Sequence, residues 1–235
     1  MSTESHSTGL LSLSFSNSLQ DGAIECLSDI LEVKLDSMLD DGILKDIPFI
    51  STAISIYRIG HTIHDRHYLK KLAIFIDQIN RGIQDETVRQ AYIERFQKNQ
   101  KSCNQELEYV LILVDRYVGY DKPQMLAKLF LSFLNKEITW TEFSVYTEVI
   151  DRFLPGDAEL LCTDLPLRIN REKEQADSAA RLVSLGLMSE RMEWGRFSGG
   201  TLDLSRETDK RYQMTKFGNK LASILKQPVV KDSKQ

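Results

Sequence analysis

Residues 121–153 read DKPQMLAKLFLSFLNKEITWTEFSVYTEVIDRF, and this stretch sets the fold class. Its first half spaces Met125, Leu126, Leu129, Phe130, Phe133 and Leu134 at i, i+1, i+4 and i+5, which gathers them on one face of an α-helix. Asp121 and Pro123 predict the cap and the first-turn proline of that helix. The second half opens on Thr139-Trp140-Thr141-Glu142, a capping-box pattern. It carries Phe143, Tyr146, Val149, Ile150 and Phe153 inward and is stopped by Pro155-Gly156. Two such helices on a short link make an antiparallel hairpin, and each needs a further apolar partner.

The same periodicity recurs upstream. From Ala23 to Leu39 an apolar stripe of Ile24, Leu27, Ile30, Leu31, Leu35, Met38 and Leu39 follows Asp21 as N-cap and ends at Asp40-Asp41-Gly42. Pro48 predicts the first turn of another helix, and Gly60 a break or a close approach. A helix from His67 to Ile79 comes next, then one capped by Asp85 with Val88, Tyr92 and Phe96. A further helix from Gln105 to Tyr117 turns Leu107, Val110, Leu111 and Val114 inward. Residues 21–156 therefore predict a helical bundle with short loops. Residues 1–20 read differently. Nine Ser or Thr fall within residues 2–18, and Leu11, Leu13 and Phe15 alternate with serines. Period two suits a strand, but no partner strand is in sight, so the expectation is a flexible tail or an edge segment.

Composition agrees with a helical globular chain. Of 235 residues, 42% are hydrophobic and 27% charged, with only 12 Gly and five Pro to break helices. Net charge is −4, but it is split: residues 1–167 carry −9 and residues 168–235 carry +5. That division predicts two units with different surfaces. Cys26, Cys103 and Cys162 are an odd number with no C-x-x-C, so the reading is a reducing compartment without a disulfide framework or a cysteine zinc site. The "LLSLSF" stretch is too short and too serine-rich for a secretory core. The expected location is cytoplasmic.

Residues 168–226 change character. "REKEQADSAARLVSLGL" predicts a helix closed by Gly186 at its C′ position. A polar stretch with Gly195 and Gly199-Gly200 as turns predicts a hairpin flanked by Leu202, Leu204, Tyr212 and Met214. Thr215 then caps a last helix bearing Phe217, Leu221, Ile224 and Leu225. Residues 227–235 are expected to be a flexible tail. Helix, "LVSLGLM", polar hairpin and "YQMTKFGNKLASIL" resemble the later part of a winged helix. The preceding helix-turn-helix is at best abbreviated, in "LCTDLPLRINREKEQADSAARLV". The whole layout resembles bacterial abortive-infection proteins of the alpha type, on Gly186-Leu187 and the Tyr212, Thr215, Gly218 spacing. That resemblance implies phage defence. The expected fold is mostly α: an N-terminal helical bundle, then a small winged-helix-like α+β unit.

Candidate functional residues are few. Between Asp46 and Arg58 run eleven uncharged residues, too few to span a bilayer. An interfacial helix would insert Ile47, Phe49, Ile50, Ile54, Tyr57 and Ile63, with Arg58, Arg66, Lys70 and Lys71 at its rim; burial in the bundle is the simpler reading. His61, His64, Asp65 and His67 fall at helical spacing, but H-E-x-x-H is absent and the histidines read as a solvated face. His64-Asp65 lacks the distant partners of an HD phosphohydrolase. No phosphate loop and no G-x-S-x-G elbow is present, so no cofactor is expected. Asp115-Arg116 and Asp151-Arg152 read as surface or interhelical pairs, and Trp140 and Trp194 as packing anchors. The expectation is a non-enzymatic interaction protein with a protein partner, a second copy or a membrane surface as occupant. The alternative is a DNA-binding regulator in which Arg191, Arg196, Arg206, Lys210 and Arg211 meet phosphates. Glu190, Glu193, Asp203, Glu207 and Asp209 nearly balance those cations.

Overall fold

The computed structural model describes residues 10–20, 47–57, 62–83, 85–163, 173–192, 197–198, 201–202 and 210–227. The helix expected over Ala23–Leu39, together with Gly60, Trp194 and the C-terminal tail, lies outside the described residues. Two compact units emerge, one ending at Phe143 and one running from Ser144 to Gln227. The protein is mostly helical, with two small antiparallel strand pairs among the described residues.

The first unit holds α1 (Leu10–Gln20), α2 (Pro48–Tyr57), α3 (Ile63–Gly82), α4 (Glu86–Lys98), α5 (Gln100–Arg116), α6 (Asp121–Leu134) and the start of α7 (Trp140–Asp151). Several termini follow the sequence signals. Pro48 opens α2, and Asp85 caps α4 by accepting from the Thr87 N–H. The Thr139–Glu142 box forms in both directions, at 2.8 and 3.2 Å. One signal fails: Asp121 is the first residue of α6, and Tyr120 stands at its cap position without a side-chain cap.

The largest correction is α1. The segment expected as a tail is a helix packed against α2, α4 and α5. Leu11, Phe15 and Leu19 are buried at every fourth residue, a spacing that alternation and a helix share. The Phe15 ring is fully buried and meets Phe49 at 5.1 Å, Phe96 at 4.7 Å and Phe130 at 6.1 Å. The serines between them are buried as well, because each finds a partner. Ser14 and Ser16 hydroxyls donate to carbonyls three residues back. Ser18 Oγ accepts the Phe49 N–H at 2.9 Å, a donor that the start of α2 leaves without a helical acceptor. In return Asn104 Oδ1 accepts the Ser12 N–H at 2.7 Å. A satisfied serine is small, so helices can approach closely over it. Behind this cluster α3 packs on α6, and Trp140, Phe133 and Phe143 extend the aromatic core.

The second unit holds the rest of α7, then α8 (Asp157–Cys162), α9 (Lys173–Ser184), β1 (Met188–Met192), β2 (Phe197–Ser198), β3 (Thr201–Leu202), β4 (Lys210–Met214) and α10 (Lys216–Lys226). It begins well before residue 168. Tyr146 stacks on Phe217 at 4.7 Å, and α8 packs on both α9 and α10. Asp157 and Arg181 form a two-pronged pair at 2.8 and 3.0 Å. Burial alone would raise the Asp157 carboxyl. Hydrogen bonds from Arg181, the Leu154 N–H and Ser178 overcome that and hold it below the ordinary aspartate range.

The Gly186-Leu187 and Thr215, Gly218 positions meet in one junction. Gly186 has φ of 73°, and the Gly186 and Leu187 N–H groups close α9 onto Val183 O and Leu182 O, a Schellman turn. Leu187 O accepts the Thr215 N–H at 3.0 Å, and Thr215 Oγ1 accepts from Gly218 N–H at 3.0 Å. A β-carbon at Gly218 would collide with the Leu187 carbonyl, so glycine is needed where α10 crosses that turn. β1 and β4 pair antiparallel from Met188–Met214 to Met192–Lys210.

Because α1 is core, Phe15→Ala should destabilise the chain by about 3–5 kcal/mol in urea unfolding. A change near zero would return residues 10–20 to the status of a tail.

Candidate functional site

The site lies where α2 ends, α3 begins and α5 ends. Its foundation is Lys71, only 2% exposed. The Lys71 ammonium donates to Asp115 O at 2.8 Å and Tyr117 O at 2.6 Å. Terminal carbonyls of a helix lack intrahelical donors and form the negative end of its dipole, so they are suited to a buried cation. Burial pushes the ammonium below its ordinary value, while the Asp115 carboxylate acts in the opposite direction. The expected membrane-rim role of Lys71 is thereby corrected: its position on α3 faces the core.

Above this contact α3 starts with a reciprocal cap. Thr62 Oγ1 accepts the Asp65 N–H at 3.1 Å, and Asp65 Oδ2 accepts the Thr62 N–H at 3.1 Å. One turn on, His67 ties down the link between α5 and α6. Its Nε2 lies 2.8 Å from Val118 O and its Nδ1 2.7 Å from the Tyr120 hydroxyl. A carbonyl can only accept, so Nε2–H is the donor. His64 instead reaches Asp115 Oδ1 at 3.3 Å on the exposed side, an interhelical pair. His61 lies outside the described residues. Among the described residues no three His, Cys, Asp or Glu side chains gather as metal ligands.

These elements enclose a pocket of about 260 Å³ lined by Tyr57, His64, Asp65, Tyr68, Leu111, Ile112 and Asp115. Two i, i+1, i+4 triplets face one another across it: His64, Asp65, Tyr68 on α3 and Leu111, Ile112, Asp115 on α5. Tyr68 is 6% exposed yet lines the pocket, and among the described residues neither its hydroxyl nor that of Tyr57 has a hydrogen-bond partner. Both phenols are pushed upward. For Tyr68 the causes are burial, then Tyr57 and Asp115; for Tyr57 they are burial, then Glu108 and Asp115. Burial is the first cause for both, and the neighbouring carboxylates act in the same direction.

The same elements carry apolar side chains in water. Ile63 is 88% exposed, Val118 82% and Ile112 58%. Ile63 stands one turn before His67 on α3, and His67 carries Val118 and Tyr120, whose ring lies 4.8 Å away.

The sequence candidates separate here. Phe49 and Ile50 are fully buried, Phe49 against the Phe15 ring, so neither side chain is on the surface. Ile54 is half-buried, Tyr57 exposed, and Arg58 lies outside the described residues. No helix among the described residues is long and apolar enough to cross a membrane. Of the proposed phosphate contacts, Arg191 is exposed on β1 and registered opposite Arg211, while Lys210 opens β4 opposite Met192. Arg196 and Arg206 lie outside the described residues. Ile63, named with the interfacial set, is the member of it that stands furthest into water, whereas Ile47 is buried. Sequence reasoning missed Tyr68 and Val118; the i, i+4 relation of His64 to Tyr68 and of Leu111 to Asp115 was the available signal. No family model, no curated protein and no solved structure matches the chain.

The raised Tyr68 phenol has a pH consequence. Its contribution to stability is complete below the ordinary tyrosine value of about 10 and is lost as pH rises beyond it, because the unfolded chain ionises first. Tyr68→Phe should therefore flatten the alkaline fall in urea-unfolding stability relative to the parent. An unchanged slope would show that the fold does not hold the Tyr68 phenol above its ordinary value.

Proposed function

We propose that this chain is a non-enzymatic interaction protein whose helical unit docks a protein partner at the corner of α2, α3 and α5. The exposed apolar side chains of Ile63, Ile112 and Val118 carry the reading. A single exposed aliphatic residue is ordinary, but Ile63 at the start of α3, Ile112 on α5 and Val118 just after α5 all stand far into water, and Ile112 also lines the pocket; exposed apolar side chains gathered on neighbouring elements are what contact surfaces offer. The pocket supplies the recess that an anchoring side chain needs. The resemblance carried by Gly186-Leu187 and the Tyr212, Thr215, Gly218 spacing supports placing that contact in phage defence.

A second reading is kept for one observation. The backbone register of β1 and β4 sets Arg191 opposite Arg211, so two basic residues occupy one rung of the ladder. A winged-helix-like unit contacting duplex DNA would provide phosphates there. Duplex binding that does not weaken with added salt, or no binding at all, removes this alternative.

Ile63→Asp combined with Val118→Asp tests the docking surface. Both side chains point into water, so stability should change by no more than about 0.5 kcal/mol per site. Affinity capture from native cells with mass-spectrometric identification should recover a partner with the parent chain and at least tenfold less with the double variant. Equal recovery by both would remove the corner as the docking site.

A further inference from the structure

The pocket within that corner has a chemistry of its own. Building on the docking reading, we propose that it is a subsite for a basic side chain, arginine or lysine, presented by the protein partner. Three observations converge on a cation. The Asp115 carboxylate lines the pocket and is half exposed. Tyr57 and Tyr68 present phenol oxygens that have no partner among the described residues, and Tyr68 does so from a side chain more than nine-tenths buried. Leu111 and Ile112 line the pocket as well and give the aliphatic stem of a long side chain an apolar wall.

The other ligand classes fit less well. An anion would meet Asp115 directly, with Asp65 in the same lining. A purely apolar side chain would cover the two hydroxyls and the carboxylate without bonding any of them, which is costly. A drug-sized ligand needs roughly 300–1,000 Å³, more than the about 260 Å³ here, whereas one extended side chain is small enough to enter. An ammonium or guanidinium would bond Asp115 with charge assistance and reach both phenol oxygens, and an aromatic face is favourable for either cation.

The test uses the full chain with ring-labelled tyrosine and two probes, Nα-acetyl-arginine amide and its neutral counterpart Nα-acetyl-norleucine amide. The arginine probe should shift the Tyr57 and Tyr68 ring signals saturably at millimolar concentration, and the norleucine probe should not. Asp115→Asn should weaken the response at least tenfold while the Tyr146 signal stays in place. Tyr57→Phe, which removes only a hydroxyl from an exposed ring, should weaken it too and serves if the asparagine variant does not fold. An equal response to norleucine, or a response untouched by either substitution, overturns the proposal. No partner takes part in this titration. If it fails while partner capture still depends on Ile63 and Val118, the docking surface stands and only the cation subsite falls.

Discussion

One buried ammonium organises the corner on which the functional reading depends. A lysine in a protein interior is costly unless its proton donors are met, and Lys71 is met by Asp115 O and Tyr117 O, where α5 ends. Those carbonyls would otherwise lack partners, so each side of the contact resolves the other's deficit. Because Lys71 is rooted in α3 and its acceptors belong to the end of α5, the bond fixes the register of the two helices. That register brings Asp115 beside His64 and sets both against the Tyr68 phenol. The pocket is a consequence of this cap.

The same logic of mutual satisfaction runs through the rest of the first unit. α1 is buried although every second residue from Ser12 to Ser18 is a serine. Ser14 and Ser16 bond backward within the helix, Ser18 accepts from the start of α2, and Asn104 accepts from the start of α1. Around Phe15, three further helices deliver one ring each. In the second unit, Asp157 is fully buried and is answered by Arg181 and the Leu154 N–H. The Gly186 turn, with Thr215 and Gly218, locks α9 to α10 through the backbone of Leu187.

Much of this was legible in the residues, and the reasons for success and failure are physical. The helical spacing of Leu126, Phe130 and Phe143, the Thr139–Glu142 cap, the Thr215 cap and the Gly186 stop are local signals, and local signals survive folding. The α1 segment was misread because Leu11, Phe15 and Leu19 satisfy both a period of two and a helical face. Its decisive partners, Asn104 and Phe49, are distant in sequence. Lys71 was misplaced for a similar reason: two adjacent lysines look solvated, and nothing local reveals that the second meets the end of a helix far along the chain. The pocket belongs to the same category. Histidine drew attention to the right turn of α3, but the tyrosines and Asp115 acquire their roles only when α2, α3 and α5 converge.

The most direct test of this account is the unfolding free energy of Lys71→Met in the full chain. Methionine keeps the apolar stem and removes only the ammonium, leaving Asp115 O and Tyr117 O buried without their donor. Losing that donor should cost at least about 2 kcal/mol, since an unsatisfied buried carbonyl costs about 1–3 kcal/mol. The variant should also lose the alkaline signature of Tyr68 as the pocket loosens. A Lys71→Met chain as stable as its parent, with Tyr68 titrating as before, would show that the corner holds without the cap and would contradict the account.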